Sequence, residues 1–241
     1  MTRRLVIRSS TSAAVRRVFD RLEYRTLGSV YCYEGGDEFW RARREPCRRL
    51  GLRVARNLIG HLPRSGRSLY VGAGVAELPA LVTEVLERGR AVMAHNLRRA
   101  EVAVLNRACR GTGVRFNATD AATAGGFYDH IWIVSVLNDP ERFPHLAPLS
   151  YGRADPVSFD PVEFARERRI VRSIVDRCLP KLRLPGVVTT SAEEVVWIAD
   201  WCHRHRIPYL VGRRQYPTAL VGDPICIMRI GARRKRIRAG C

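Results

Sequence analysis

The sequence predicts an α/β chain built on a mostly parallel sheet with helices on both faces, closed by an antiparallel C-terminal strand and preceded by an N-terminal helical cap. Three observations predict it. From residue 68 onward, short apolar segments alternate with amphipathic stretches of helical length, the pattern of right-handed βαβ crossovers. The run His130-Ile131-Trp132-Ile133-Val134-Ser135-Val136-Leu137 is continuously apolar, as expected of a strand buried on both sides. The first strand ends in Gly72-Ala73-Gly74, directly ahead of a helical pattern.

Taken in order, residues 10 to 27 carry Val15, Val18, Phe19 and Leu22 at helical spacing and predict a first helix. An aromatic and acidic stretch from Tyr31 to Trp40 follows. A second helix is predicted over 46 to 61, with Leu50, Val54, Leu58 and Ile59 on its apolar side, ending before Pro63, Ser65 and Gly66. The first strand covers 68–71 and a helix 77–87. A second strand (90–94) and helix (98–110) follow, then a third strand (113–117) leading to Thr119-Asp120. After the apolar fourth strand, residues 144–160 are rich in Pro, Gly and Ser and read as a long loop. A helix over 161–179, a fifth strand (186–190), a helix over 192–205 and strands at 208–211, 219–221 and 225–230 complete the chain. The expected division is a cap over 1–62, a Rossmann-like domain over 63–231 and a basic tail over 232–241.

With 241 residues, 46% of them hydrophobic, the chain is long enough for one full core plus an accessory segment. It has no run of 18 apolar residues for a membrane span, and the apolar stretch Leu5-Val6-Ile7 is too short for a secretory signal, so the expectation is a cytoplasmic protein with no membrane partner. The formal charge is +19. Nucleic acid is a possible partner on that ground. Yet only Lys181 and Lys235 are lysine, which leaves 40 arginines spread along the chain, as an arginine-biased composition would also give. The densest basic run, Arg233-Arg234-Lys235-Arg236, lies in the tail. Seven cysteines without a CxxC pair, and Cys202-His203-Arg204-His205 without a second ligand cluster, predict no metal site.

The glycine turn carries the functional signal. Glycines after a strand let the backbone bend sharply, and the following helix N-terminus offers free N–H groups. In sheets of this type ligands lie beyond the carboxyl ends of the strands, at the switch point. With the turn, the polar end of the second strand at His95-Asn96, Asp120 after the third, Tyr128-Asp129 opening the fourth, Leu179-Pro180-Lys181-Leu182-Arg183-Leu184-Pro185-Gly186 before the fifth and the closing strand pair, residues 66–230 resemble the class I S-adenosylmethionine-dependent methyltransferase family. The resemblance implies an S-adenosylmethionine cofactor and a methyl transfer to an acceptor, a small molecule in the first instance. It places Gly72, Ala73 and Gly74 under the methionine and ribose portion, His95 and Asn96 at the ribose hydroxyls, Asp120 and Ala121 at the adenine, and Ser135 and Val136 beneath the sulfonium. Tyr70 stands where the family usually has an acid, and His95-Asn96 where it has Asp or Glu. Glu77 compensates if it faces the cofactor's ammonium.

Such a reaction asks the protein mainly to align donor and acceptor and to exclude water, so no fixed catalytic set is expected. Candidates are Asn138-Asp139-Pro140, Glu193 and Glu194 after the fifth strand, and His95 as a base. An N-terminal lid formed by Tyr31, Tyr33, Glu34, Asp37 and Trp40 is a further candidate. Three alternatives stay open: an RNA methyltransferase, an aminopropyl transferase of the nicotianamine-synthase type, and a non-catalytic Rossmann-like protein with a degraded pocket.

Overall fold

The computed structural model describes residues 5–30, 36–150, 159–220 and 223–232. Among them, seven strands form one sheet: β1 (Arg67–Val71), β2 (Ala91–His95), β3 (Phe116–Asn117), β4 (Tyr128–Ile133), β5 (Leu182–Ser191), β6 (Tyr209–Val211) and β7 (Ile225–Ile230). Their order is β3-β2-β1-β4-β5-β7-β6. β1 pairs in parallel with β2 and β4, and β5 extends the parallel set beside β4. β7 runs antiparallel to both β5 and β6. The chain therefore winds outward from β1 to β3, then returns to the other side of β1 with β4. The switch point lies between β1 and β4.

Helices cover both faces. Helices α1 (Ser9–Asp20), α2 (Tyr24–Val30), α3 (Gly36–Leu58), α4 (Leu78–Arg88) and α5 (Arg99–Ala108) pack on one face. Helices α6 (Leu146–Ser150), α7 (Pro161–Cys178) and α8 (Val195–Arg204) lie on the other. Because side chains alternate along a strand, each strand feeds two cores. Tyr70 and Trp132 join Leu58, Leu81 and Leu105 on the first face, while Leu69, Ile131 and Ile133 join Val171, Val175 and Ile198 on the second.

The N-terminal helices depart from the expected boundaries. The predicted helix over 10–27 breaks after Asp20 and resumes at Tyr24, whose hydroxyl donates to the Phe19 carbonyl at 2.8 Å. The helix expected at 46 begins at Gly36 and runs through Pro46. A proline inside a helix costs about 3 kcal/mol or more. Here Trp40, Cys47, Val54 and Leu58, spaced so that they share one face, are all buried and offset that loss. The third strand shrinks to two residues, and the fourth ends at Ile133 instead of Leu137. Residues 219–220 form no strand; Tyr216 makes an isolated bridge to Ile225 instead. Within the expected loop 144–160, residues 146–150 form a short helix.

Behind the N-terminal ends of the strands sits a buried polar network. Glu84 on α4 accepts from Tyr70 Oη at 2.6 Å, from Ser68 Oγ and from Arg90 Nε at 3.0 Å, and His130 Nδ1 lies 3.0 Å from it. Arg90 also reaches Asp129 at 3.0 Å. Burial alone would raise the Glu84 pKa, but His130, Ser68 and Tyr70 outweigh it and hold the carboxyl at about 2. This network explains Tyr70: its side chain stacks on Trp132, with ring centroids 5.2 Å apart, and points into the core.

Candidate active site

Everything at the carboxyl end of the sheet is organised around the turn after β1. Gly72 has φ +67°, a left-handed conformation suited to glycine, and a Cβ there would lie 2.6 Å from Val136 Cγ2. The β1 turn and the segment after β4 thus approach each other more closely than any side chain would allow. The Ala73 N–H donates to the His95 carbonyl at 2.9 Å, and the Asn96 N–H to the Asn117 carbonyl at 3.0 Å, so the ends of β1, β2 and β3 are tied together.

Asn96 ties the scaffold together. Its Nδ2 donates to the Ala73 carbonyl and to Glu101 Oε2, each at 2.9 Å, and its Oδ1 accepts from the Arg98 N–H at 2.8 Å, at the start of α5. Glu101, buried on α5, was not visible as a site residue in the sequence. A Cβ on Gly74 would lie 2.8 Å from its Oε1.

Glu77 is buried and its Oε2 accepts from the Gly74 N–H at 2.8 Å. Burial pushes its pKa up to about 7, against the lowering effect of the Gly74 N–H, and the nearby Glu101 adds to the rise. This carboxyl is poised to change charge near neutrality. At the end of β2, burial lowers the His95 pKa, Nδ1 lies 3.0 Å from Thr119 Oγ1, and Nε2 is buried without a partner among the described residues.

After β4 the chain leaves the sheet, with Ser135 at φ +55°. The cause is Glu194. This buried carboxylate accepts from the N–H groups of Ser135 (3.0 Å), Val136 (2.7 Å) and Leu137 (2.6 Å), and from Ser191 Oγ at 2.9 Å. Three successive N–H groups aimed at one carboxylate form an anion nest. Glu194 therefore shapes the site from behind. Glu193 stays half-buried, its N–H donating to Asp223 at 3.3 Å.

Two cavities open here and meet at Gly72, Asn96, Leu97, Val136 and Arg142, which line both. The first, about 370 Å³, is bounded by His95, Thr119, Asp120 and Ala121 on one side and by α7 on the other. The second, about 570 Å³, is walled by Trp40, Leu50 and Val54 of α3 and by Trp132 and Val134, with Gly74, Glu77, Ser135 and Asp139 at its polar end. Burial raises the Asp139 pKa, with Glu141 adding repulsion. Asn138 is buried and donates to Asp223 at 3.3 Å. Burial pushes the Cys47 thiol in this wall up to about 12, which makes it a packing group.

The structure brings Gly72, Gly74, Glu77, Asn96, Ser135 and Val136 to the second cavity, and Gly72, His95, Asn96, Asp120, Ala121 and Val136 to the first. Ala73 is buried behind the turn. Asp120 is exposed; its side chain caps Ala122 N–H at 2.9 Å and pairs with Arg177 at 3.3 Å. Of the proposed lid, Trp40 lines the second cavity and Asp37 pairs with Arg41 at 3.3 Å, while Tyr31, Tyr33 and Glu34 lie outside the described residues. The basic run from Arg233 also lies outside them. No helix among the described residues is long and apolar enough to cross a membrane.

No model of a known protein family matches this sequence, and no curated protein matches it. Among solved structures, it is similar to magnesium protoporphyrin IX methyltransferase from Synechocystis PCC 6803 with bound SAM, at 12% identity over 78% of this chain and 83% of that one, with a TM-score of 0.49. It is similar to precorrin-6y C5,15-methyltransferase from Geobacter metallireducens GS-15 at 11% identity, over 75% and 84% of the two chains, with a TM-score of 0.44. For Trm5b from Pyrococcus abyssi the identity is 10%, over 75% of this chain and 48% of that one, with a TM-score of 0.47.

Proposed function

We propose that this chain is an S-adenosylmethionine-dependent methyltransferase, with residues 1–62 as a helical cap and 63–231 as the cofactor domain. The observation that carries the reading is the meeting of two cavities over Gly72 at the β1/β4 switch point, where ligands of such sheets lie. A ligand with a nucleoside at one end and a reactive centre at the other suits two chambers joined at a narrow waist.

The residues present fit such a group. The first cavity takes the nucleoside, with the unpartnered His95 Nε2 as a hydrogen-bonding group, Asp120 at its rim and Ala121 beneath. Asn96 acts through the backbone, holding Ala73 and the start of α5 in place, and not by cradling the sugar with free side-chain atoms. In the second cavity the Glu77 carboxylate would hold the ammonium. Ser135 and Val136, held by Glu194, form the floor at the waist. The bound cofactor supplies an activated methyl group on a sulfonium.

The chain's own residues then align and desolvate. Trp40, Leu50, Val54 and Trp132 exclude water from the acceptor chamber. Asp139, its pKa raised by burial, stands at the mouth to accept a proton from the acceptor. Incubation with methyl-labelled S-adenosylmethionine and fractionated metabolites and RNA tests the reading through the spent cofactor. S-adenosylhomocysteine is the expected product. Methylthioadenosine would assign aminopropyl transfer instead, and an unconsumed cofactor across all fractions would count against catalysis.

A further inference from the structure

Four guanidinium groups, Arg142, Arg166, Arg169 and Arg177, line the first cavity, with Asp120 the carboxylate among its lining residues. Three of them belong to one side of α7. The uncharged nucleoside assigned to this cavity leaves these four guanidinium charges unanswered. Nor does the protein use them internally. Arg142 and Arg169 pair with no acid among the described residues, and Arg142 only leans over the adjacent Phe143 ring. Arg166–Glu163 at 3.0 Å and Arg177–Asp120 at 3.3 Å are exposed pairs, of the kind worth about 0–1 kcal/mol and readily exchanged for a stronger anion.

We infer that this wall binds phosphate on the acceptor, so that the substrate of the proposed transferase is a phosphate-bearing molecule; the inference rests on that reading for the word acceptor, and on the arginines alone for the phosphate. Arginine forks match phosphate oxygens in pairs, and a dianion answers several of them at once. Position supports the assignment. Arg142 lines both cavities, so an anion held by it lies beside the waist where the transferred group would be. Extent points to a chain of phosphates: residues 166 to 177 on α7 span about 16 Å at the helical rise. That length favours a single-stranded polynucleotide, one unpaired base of which enters the chamber between Trp40 and Trp132. A small phosphorylated molecule would use Arg142 and its nearest neighbour only.

The test compares the wild-type protein with R142A/R169A and with R115A/R183A, which removes two exposed arginines at the opposite end of the sheet. Binding of a fluorescein-labelled 12-nucleotide single-stranded RNA is followed by anisotropy between 50 and 300 mM KCl, about the range over which phosphate contacts are lost. A second arm follows inorganic pyrophosphate by calorimetry, and thermal melts check that each variant is folded. R142A/R169A is expected to weaken RNA binding about tenfold or more and to flatten the log–log salt slope by about 1.4, two phosphate contacts' worth. R115A/R183A is expected to change it less than about twofold. Loss confined to pyrophosphate keeps the phosphate site and assigns it to a small ligand. Equal losses in both variants, or none in either arm for R142A/R169A, overturn the inference. S-adenosylhomocysteine titrated into the wild type in parallel separates the two readings: RNA bound through Arg142 and Arg169 without cofactor binding overturns the cofactor reading alone.

Discussion

Glu77 ought to be a residue that costs the empty protein stability and repays it when cofactor binds. Its carboxyl is buried and held at about 7, against 4.5 in an unfolded chain, with burial the largest cause. A carboxyl whose pKa is raised on folding leaves the fold unpenalised below the unfolded value. Between pH 4.5 and 7 the unfolded chain gives up its proton and the folded one does not, so stability falls with rising pH across that window and levels off above it. At about 1.4 kcal/mol per pH unit the accumulated cost by pH 8 is about 3 kcal/mol. Glu77→Gln removes the titration and the repulsion from Glu101, and its amide oxygen can still accept the Gly74 N–H. The variant should therefore melt higher at pH 8, by roughly 6–12 °C for a chain of this size, and should match the wild type at pH 4.5. Binding should move the other way. The ammonium of the ligand's amino-acid end needs the carboxylate, so wild-type affinity for S-adenosylhomocysteine should rise about tenfold from pH 6 to pH 8, and the variant's should be weaker and flat. Thermal melts and calorimetric titration at several pH values read both effects. A variant less stable than the wild type at pH 8, or a wild-type affinity that ignores pH, would refute the reasoning.

Other perturbations follow from the same contacts. Gly72→Ala forces a side chain into Val136 Cγ2 at 2.6 Å and into a left-handed backbone conformation, so it should lose about 1–3 kcal/mol and cofactor binding together; adding Val136→Ala should relieve the clash, recovering part of the stability in urea titrations. Glu194→Ala leaves the N–H groups of Ser135, Val136 and Leu137 without their acceptor, which should speed hydrogen exchange of 135–137 and destabilise the fold by about 3 kcal/mol or more. Glu84 is the opposite of Glu77: its pKa is depressed, so its contribution is full above pH 4.5 and drains away as pH falls toward 2, and Glu84→Gln, by removing one of the two carboxylates that hold buried Arg90, should cost about 3 kcal/mol at pH 7 while removing that acid limb.

The layout of the sheet could be read from the sequence because it depends on local pattern. The segments at 68–71, 90–94, 186–190 and 225–230 are apolar or β-branched runs between turn residues and fall on four of the strands, although β5 starts four residues earlier, at Leu182, ahead of Pro185 and Gly186. What could not be read depends on partners distant in sequence. Residues 134–137 are as apolar as the strand before them, yet they leave the sheet because Glu194, more than fifty residues on, takes their N–H groups. Tyr70 looked like a missing acid; it is the hydroxyl donor to Glu84, part of a core network assembled from α4, β2 and β4. Asn96 reads as a sugar ligand; folding also sets its side chain against the Ala73 carbonyl, Glu101 and the Arg98 N–H. The arginines of α7 seemed scattered along a basic chain until folding set Arg142 beside them.

The central claim is that the hollow over Gly72 holds an adenosyl ligand. Calorimetric titration of S-adenosylhomocysteine into the wild type and into G72A tests it most directly. The account predicts stoichiometric binding at micromolar concentration to the wild type and its loss in a folded G72A protein. Absence of heat with the wild type, or equal affinity in the two proteins, would contradict it.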